Sequence, residues 1–201
     1  SDQLERSIST YELSPSMEKR PEETREKLSL RFFPEGGQLV EGITSQVAFK
    51  AESKNEGNIQ LSGTLYTKEG QEITSFETLH DGMGAFEYTP SALPAIAKVN
   101  FQGKQYEFTL PKALPSGYIL KVGNNAGAIS VTVSCNAATP QDTLAVFISH
   151  QGRPHAYQLI HCQANKPQQF TVLSRKLPAG VLQISLLNRA GNTLCDRFIF
   201  A

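Results

Sequence analysis

The sequence predicts an all-β chain built as two antiparallel β-sandwiches in series. Three observations carry that expectation. Short segments of alternating apolar and polar residues recur from Leu28 to Phe200. Turn-forming Gly, Pro, Asn and Asp separate them every eight to twelve residues or so. No segment keeps a helical apolar period through three turns.

Residues 1–27, "SDQLERSISTYELSPSMEKRPEETREK", are polar and interrupted by Pro15 and Pro21. They cannot build a core and are expected to form a linker or arm. A helical turn fits "PEETREK", where proline comes early and acids precede bases.

From Leu28 the pattern is that of strands. "LSLRFF" runs into Pro34-Glu35-Gly36-Gly37, where proline withholds a ladder donor and the glycines accept angles closed to other residues. "TSQVAFKA" sets Val47 and Phe49 on one face, with Gln46, Ala48 and Lys50 on the other. "IQLSGTLYT" and "EITSFETL" flank Lys68-Glu69-Gly70-Gln71, a hairpin turn. Asp81-Gly82-Met83-Gly84 reads as a tight turn leading into "GAFEYTP". "AIAKVNF" and "QYEFTLP" complete seven strands, the last alternating Tyr106 and Phe108 with polar neighbours. Residues 28–112 are therefore assigned to the first sandwich.

"PKALPSG", residues 111–117, reads as the boundary, and the pattern then restarts. "YILKV", "AISVTVSC", "DTLAVFISH", "HAYQLIHC", "QQFTVLS", "GVLQISLLN" and "TLCDRFIF" supply seven further strands over residues 113–201. Both sandwiches, of 85 and 89 residues, are near immunoglobulin size, so immunoglobulin-like packing is expected of each.

Composition narrows the function classes. Apolar residues make up 39%, charged residues 19%, and tryptophan is absent. No run approaches the ~20 apolar residues of a membrane-crossing helix, so no membrane insertion by this segment is expected. The chain starts at Ser1 without a charged, apolar leader, and the expectation is a piece of a longer protein. Charge is uneven although the total is zero. Residues 28–112 carry seven Lys/Arg against ten Asp/Glu, a net −3, while 113–201 carry seven against two, a net +5. Such asymmetry can orient a partner or draw one half against the other. It forms no basic run with interleaved aromatics, and no nucleic-acid partner is expected.

Each candidate for chemistry has a plainer reading. Glu35 could be an acid on a glycine loop, but general acid catalysis wants a second ionisable group close by. Glu41, six residues on, is expected to be as exposed as Glu35. His80 and Asp81 suggest part of a triad, yet no Gly-x-Ser-x-Gly elbow accompanies them. His150, His155, His161 and Cys162 suggest a metal. However, His161 and Cys162 are neighbours on one strand and face opposite sides, so they cannot converge on one ion. Cys135, Cys162 and Cys195 contain no C-x-x-C pair. One disulfide with a free thiol and three buried thiols both fit that count. Sugar-binding sandwiches present exposed aromatic platforms. Here tryptophan is missing and most of the six tyrosines run in phase with the apolar face. No catalytic residue, metal or cofactor is expected, and the turn residues 34–37 and 81–84 are assigned a structural role.

"FFPEGGQLVEGITSQVAFKA", then "GTLYTKEGQEITSFETLHDGMGAFEYTP" and "AKVNFQGKQYEFTLP", resembles the macroglobulin-type β-sandwich of the alpha-2-macroglobulin superfamily. The similarity is to versions in large cell-envelope proteins of Bacteroidetes, where several sandwiches precede a TonB-dependent-receptor plug-like region. It covers residues 28–112, and 113–201 are similar to the repeat that follows. The resemblance implies a modular protein of the periplasm or outer membrane, working by domain packing and protein contact. Its partners would be neighbouring domains of the parent chain and other envelope proteins. The superfamily's reactive thioester needs a Gly-Cys-Gly-Glu-Gln motif; none is present, and no cysteine here has Gln three residues on. The expected function is thus non-enzymatic, with a glycan- or peptide-binding module of a nutrient-uptake system as the alternative.

Overall fold

The computed structural model describes residues 28–125 and 127–201, so the linker or arm expected at 1–27 lies outside the described residues. Every paired strand is antiparallel.

The first sandwich contains β1 (Leu28–Pro34), β2 (Ser45–Ser53), β3 (Gly57–Asn58), β4 (Ser62–Tyr66), β5 (Glu72–Glu77), β6 (Met83–Tyr88), β7 (Ile96–Phe101) and β8 (Lys104–Thr109). One sheet places β2 between β1 and β6, with short β3 also on β2; the other runs β5-β4-β7-β8. The alternation read from sequence sets the faces. Val47, Phe49 and Ala51 of β2 are buried while Gln46 and Ala48 are exposed. Phe49 and Phe86 from one sheet meet Phe76 from the other, with ring centroids 5.0 to 6.1 Å apart. Edge-to-face and tilted contacts of this kind add about 0.5–1.5 kcal/mol each beyond burial.

The second sandwich contains β9 (Tyr118–Asn125), β10 (Ala128–Cys135), β11 (Asp142–His150), β12 (Arg153–Cys162), β13 (Gln168–Leu173), β14 (Val181–Leu187) and β15 (Thr193–Phe200). Its sheets are β9-β10-β13 and β12-β11-β14-β15. The core is aliphatic, with Ile129, Val131 and Val133 facing Leu144, Val146, Ile148, Leu182, Ile184 and Leu186. A single 3-10 turn, Ser174–Lys176, precedes β14. The first core draws on residues from Leu28 to Ala113 and the second on residues from Leu120 to Cys195.

Several local expectations are corrected. Gly57–Asn58 adds a two-residue strand that was not anticipated. Ile59–Leu61, expected inside a strand, joins no ladder; this stretch crosses between sheets with both apolar side chains buried. Gly123-Asn124-Asn125, expected as a separator, continues β9 because β10 pairs with it up to Ala128↔Asn125. Met83 and Gly84, expected within a turn, already belong to β6.

Candidate functional site: the seam between the sandwiches

Two of the four buried polar side chains among the described residues, Asn136 and Thr139, lie where the two sandwiches meet. After β1 the chain turns at Pro34–Gly37, closed by Gly37 N–H donating to the Pro34 carbonyl at 2.9 Å. Gly36 and Gly37 both have positive φ, 87° and 81°. The turn delivers Leu39, Val40 and Glu41 to the connector between the sandwiches. Leu114 N–H donates to the Leu39 carbonyl at 2.8 Å, and Glu41 N–H donates to the Leu114 carbonyl at 3.0 Å. These two bonds make a short parallel bridge between Val40 and Leu114. The proline-rich boundary is therefore paired backbone and does not dangle.

Asn136 secures this bridge from the second sandwich. It stands where β10 leaves for β11, in a tight turn that Thr139 N–H closes on the Asn136 carbonyl at 3.1 Å. Its Nδ2 donates to the Glu41 carbonyl at 3.0 Å and to the Pro115 carbonyl at 2.8 Å. Its Oδ1 accepts from Thr139 Oγ1 at 2.7 Å. Two carbonyl acceptors on one side and a hydroxyl on the other fix which way the amide faces. Thr139 Oγ1 in turn accepts from Gly117 N–H at 2.8 Å. Asn136 and Thr139 are only 8% and 5% exposed. Buried polar groups stabilise when satisfied and cost heavily when not, so this network holds one geometry.

Beside it, Val40, Ile43 and Ile119 form a small separate core drawn from both sides. At the rim, Arg197 Nη2 lies 3.8 Å from Glu35 Oε1, both side chains largely covered. Glu35 was expected to be solvent-exposed; instead it is half-buried, because the turn that carries it packs against the second sandwich, and Glu41 is half-buried too.

The other candidates stay apart. His80 Nε2 is 3.0 Å from Asp81 Oδ2, with side chains 82% and 61% exposed, on a turn closed by Met83 N–H and the His80 carbonyl at 2.8 Å. Asp81 and Gly82 take φ of 47° and 71° there, and Ala51 N–H donates to the Gly82 carbonyl at 2.7 Å, tying the turn to β2. Gly84 lies against the Phe49 ring and the Glu77 carbonyl, where any Cβ would overlap. His150 Nδ1 meets the Val181 carbonyl at 3.0 Å, and His161 Nδ1 lies 3.5 Å from Thr143 Oγ1. On β12, His161 is exposed and Cys162 buried. Among the described residues no three His, Cys, Asp or Glu side chains come together as a metal site.

An open groove of about 640 Å³ crosses the β5-β4-β7-β8 sheet, lined in part by Ser62, Thr64, Tyr66, Ser75, Lys98 and Asn100. Its tyrosine is not a free platform, since Lys98 Nζ sits 5.5 Å from the Tyr66 ring centroid. Elsewhere, Tyr157 is 70% exposed and stacks on Phe147, an outward tyrosine that the general phase of the sequence hides.

Sequence reasoning missed Asn136, Thr139, Val40, Ile119 and Arg197 as parts of a site. "CNAATP" shows only an ordinary Asn/Thr turn signal, and Asn136 lies 95 positions from Glu41.

No protein-family model matches the sequence, and no curated protein matches it. Among solved structures, the chain is similar to the BSP domain of a biofilm-associated protein, at 14% identity and a TM-score of 0.35, covering 87% of this chain and 29% of that one. It is similar to the Yersinia pseudotuberculosis adhesin InvE at 15% identity and 0.31, covering 88% and 60%. It is also similar to the native conformation of Escherichia coli alpha-2-macroglobulin at 14% identity and 0.28, covering 86% and 14%. The chain thus spans less than two thirds of each of these proteins. Overlaps this slight carry no functional argument, and the β-sandwich fold rests on the chain's own ladders and cores.

Proposed function

We propose that this chain is a non-enzymatic pair of macroglobulin-like sandwiches, part of a longer bacterial envelope protein, acting as a fixed-angle spacer and contact surface. Its setting would be the periplasm or outer membrane, in a chain of the Bacteroidetes type that precedes a TonB-dependent-receptor plug-like region. Neighbouring domains of the parent, and other envelope proteins, would be its partners. One observation carries the reading: the buried Asn136–Thr139 network is used to join two domains, its amide bonded to two backbone carbonyls and to the Thr139 hydroxyl. A catalytic centre needs ionisable groups placed against a substrate-sized recess. Glu35 faces Arg197 at 3.8 Å with no second carboxylate beside it among the described residues, and the His80–Asp81 pair stands in solvent.

The test is a panel of ester, peptide and glycosidic chromogenic substrates incubated with the purified chain. Hydrolysis should match buffer alone, and Glu35→Gln should change only stability, by under ~1 kcal/mol as for other partly exposed ion pairs. Turnover that disappears in Glu35→Gln or His80→Ala would end the proposal.

A further inference from the structure

We infer that Cys135 and Cys162 are a disulfide site, closed by exchange with a disulfide-bearing oxidant, which staples the two sheets of the second sandwich beside the seam. Cys135 ends β10 and Cys162 ends β12, strands of opposite sheets that share no ladder. Their Sγ atoms nonetheless face each other across the core at 2.8 Å, within about 1 Å of a covalent S–S bond. The backbone there is pinned independently of the sulfurs. The loop leaving Cys162 folds back so that Asn165 N–H donates to the Cys135 carbonyl at 3.0 Å. The third thiol is nearby but has another partner, Cys195 Sγ lying 3.7 Å from the carbonyl of Tyr118, the residue opposite Cys135 in the β9–β10 ladder. Asn136 directly follows Cys135, so the staple would also fix the first residue of the seam network.

The exchange balances without further reagents. One cysteine thiolate displaces a thiolate from R–S–S–R, and the second then displaces the other. Two protein thiols and one disulfide become one protein disulfide and two R–SH. Both sulfurs are buried once folding is complete, and burial pushes the Cys162 thiol up to about 12. Thiolate is the attacking form, so exchange belongs to the folding chain and is slow in the folded one. The inference stands or falls apart from the proposed function.

The experiment unfolds the full 201-residue chain and refolds it in a mixture of reduced and oxidised glutathione. Remaining thiols are then alkylated in denaturant without reductant. Intact mass should show a single alkylation, at Cys195, and a non-reducing peptide map should show Cys135 joined to Cys162. Their positions are 27 apart, so closing that loop should raise the melting temperature by roughly 10 °C over the reduced chain. Cys195→Ala should keep the cross-link, and the Cys135→Ala, Cys162→Ala double variant should lose the gain on oxidation. Three alkylated thiols, glutathione adducts alone, or a cross-link through Cys195 would overturn the inference.

Discussion

Asn136 spends three of its four hydrogen-bonding positions on groups from the first sandwich, the connector and its own loop. Replacing it with Ala strands the Glu41 and Pro115 carbonyls and should cost about 2 kcal/mol in urea unfolding. Asn136→Asp should cost more at neutral pH, since a carboxylate would face two carbonyl oxygens. Part of that loss should return on acidification, because a protonated acid can donate one bond again. Glycines offer a second contrast. Gly84→Ala drives a methyl into the Phe49 ring and the Glu77 backbone, an overpacking cost of roughly 1–3 kcal/mol. At Gly37 nothing lies within 4 Å, so Gly37→Ala pays only for its φ of 81°, about 1–2 kcal/mol. Thermal unfolding of the two variants, with and without a compensating Phe49→Leu, separates the mechanisms: only Gly84→Ala should be relieved, and only in part, because the Glu77 carbonyl stays in place. The Asp81-Gly82 corner is legible in the sequence because its chemistry is local. Asn136 is not legible, because every group that gives it meaning is brought there by the fold.

Among the strands, β10, β11 and β15 have the limits that alternation alone assigns; β10 and β11 bury alternate apolar residues in the core, while β15 buries only Cys195. Where the reading slipped, tertiary pairing overrode a local signal. Asn124 and Asn125 look like turn residues, yet β10 supplies their ladder and Asn124 Nδ2 reaches the Phe200 carbonyl at 2.6 Å. β15 also carries Cys195, whose thiol burial pushes up to about 11 from 9.0, Asp196 adding to the rise and Arg197 opposing it. A raised folded-state value means that the unfolded chain releases its proton first. Stability from this group is whole below about pH 9 and drains as pH climbs toward 11. Unfolding followed between pH 8 and pH 11 should show the loss, on the order of 1–2 kcal/mol, and Cys195→Ala should make that part of the profile shallower, the raised Cys162 thiol of the reduced chain keeping the rest. An unchanged slope in the variant would mean that the thiol is not buried as described.

Over the whole molecule the charge asymmetry acquires a place. The half with net −3 and the half with net +5 meet at a seam where Glu35 faces Arg197. At 3.8 Å that pair is too long for a hydrogen bond and contributes little, so the angle between sandwiches is set by the Val40–Leu114 bridge, the Asn136 network and the Val40, Ile43 and Ile119 contact. Raising salt should therefore leave the angle unchanged. Interdomain contacts that are small and polar usually permit relative motion; this one has backbone pairing and a closed buried network, which oppose it. The most direct measurement is of backbone N–H residual dipolar couplings in a dilute alignment medium. One alignment tensor should fit both sandwiches of the native chain, and Asn136→Asp should split it into two. Two tensors of different magnitude in the native chain would contradict a fixed seam and remove the basis for a spacer of set angle.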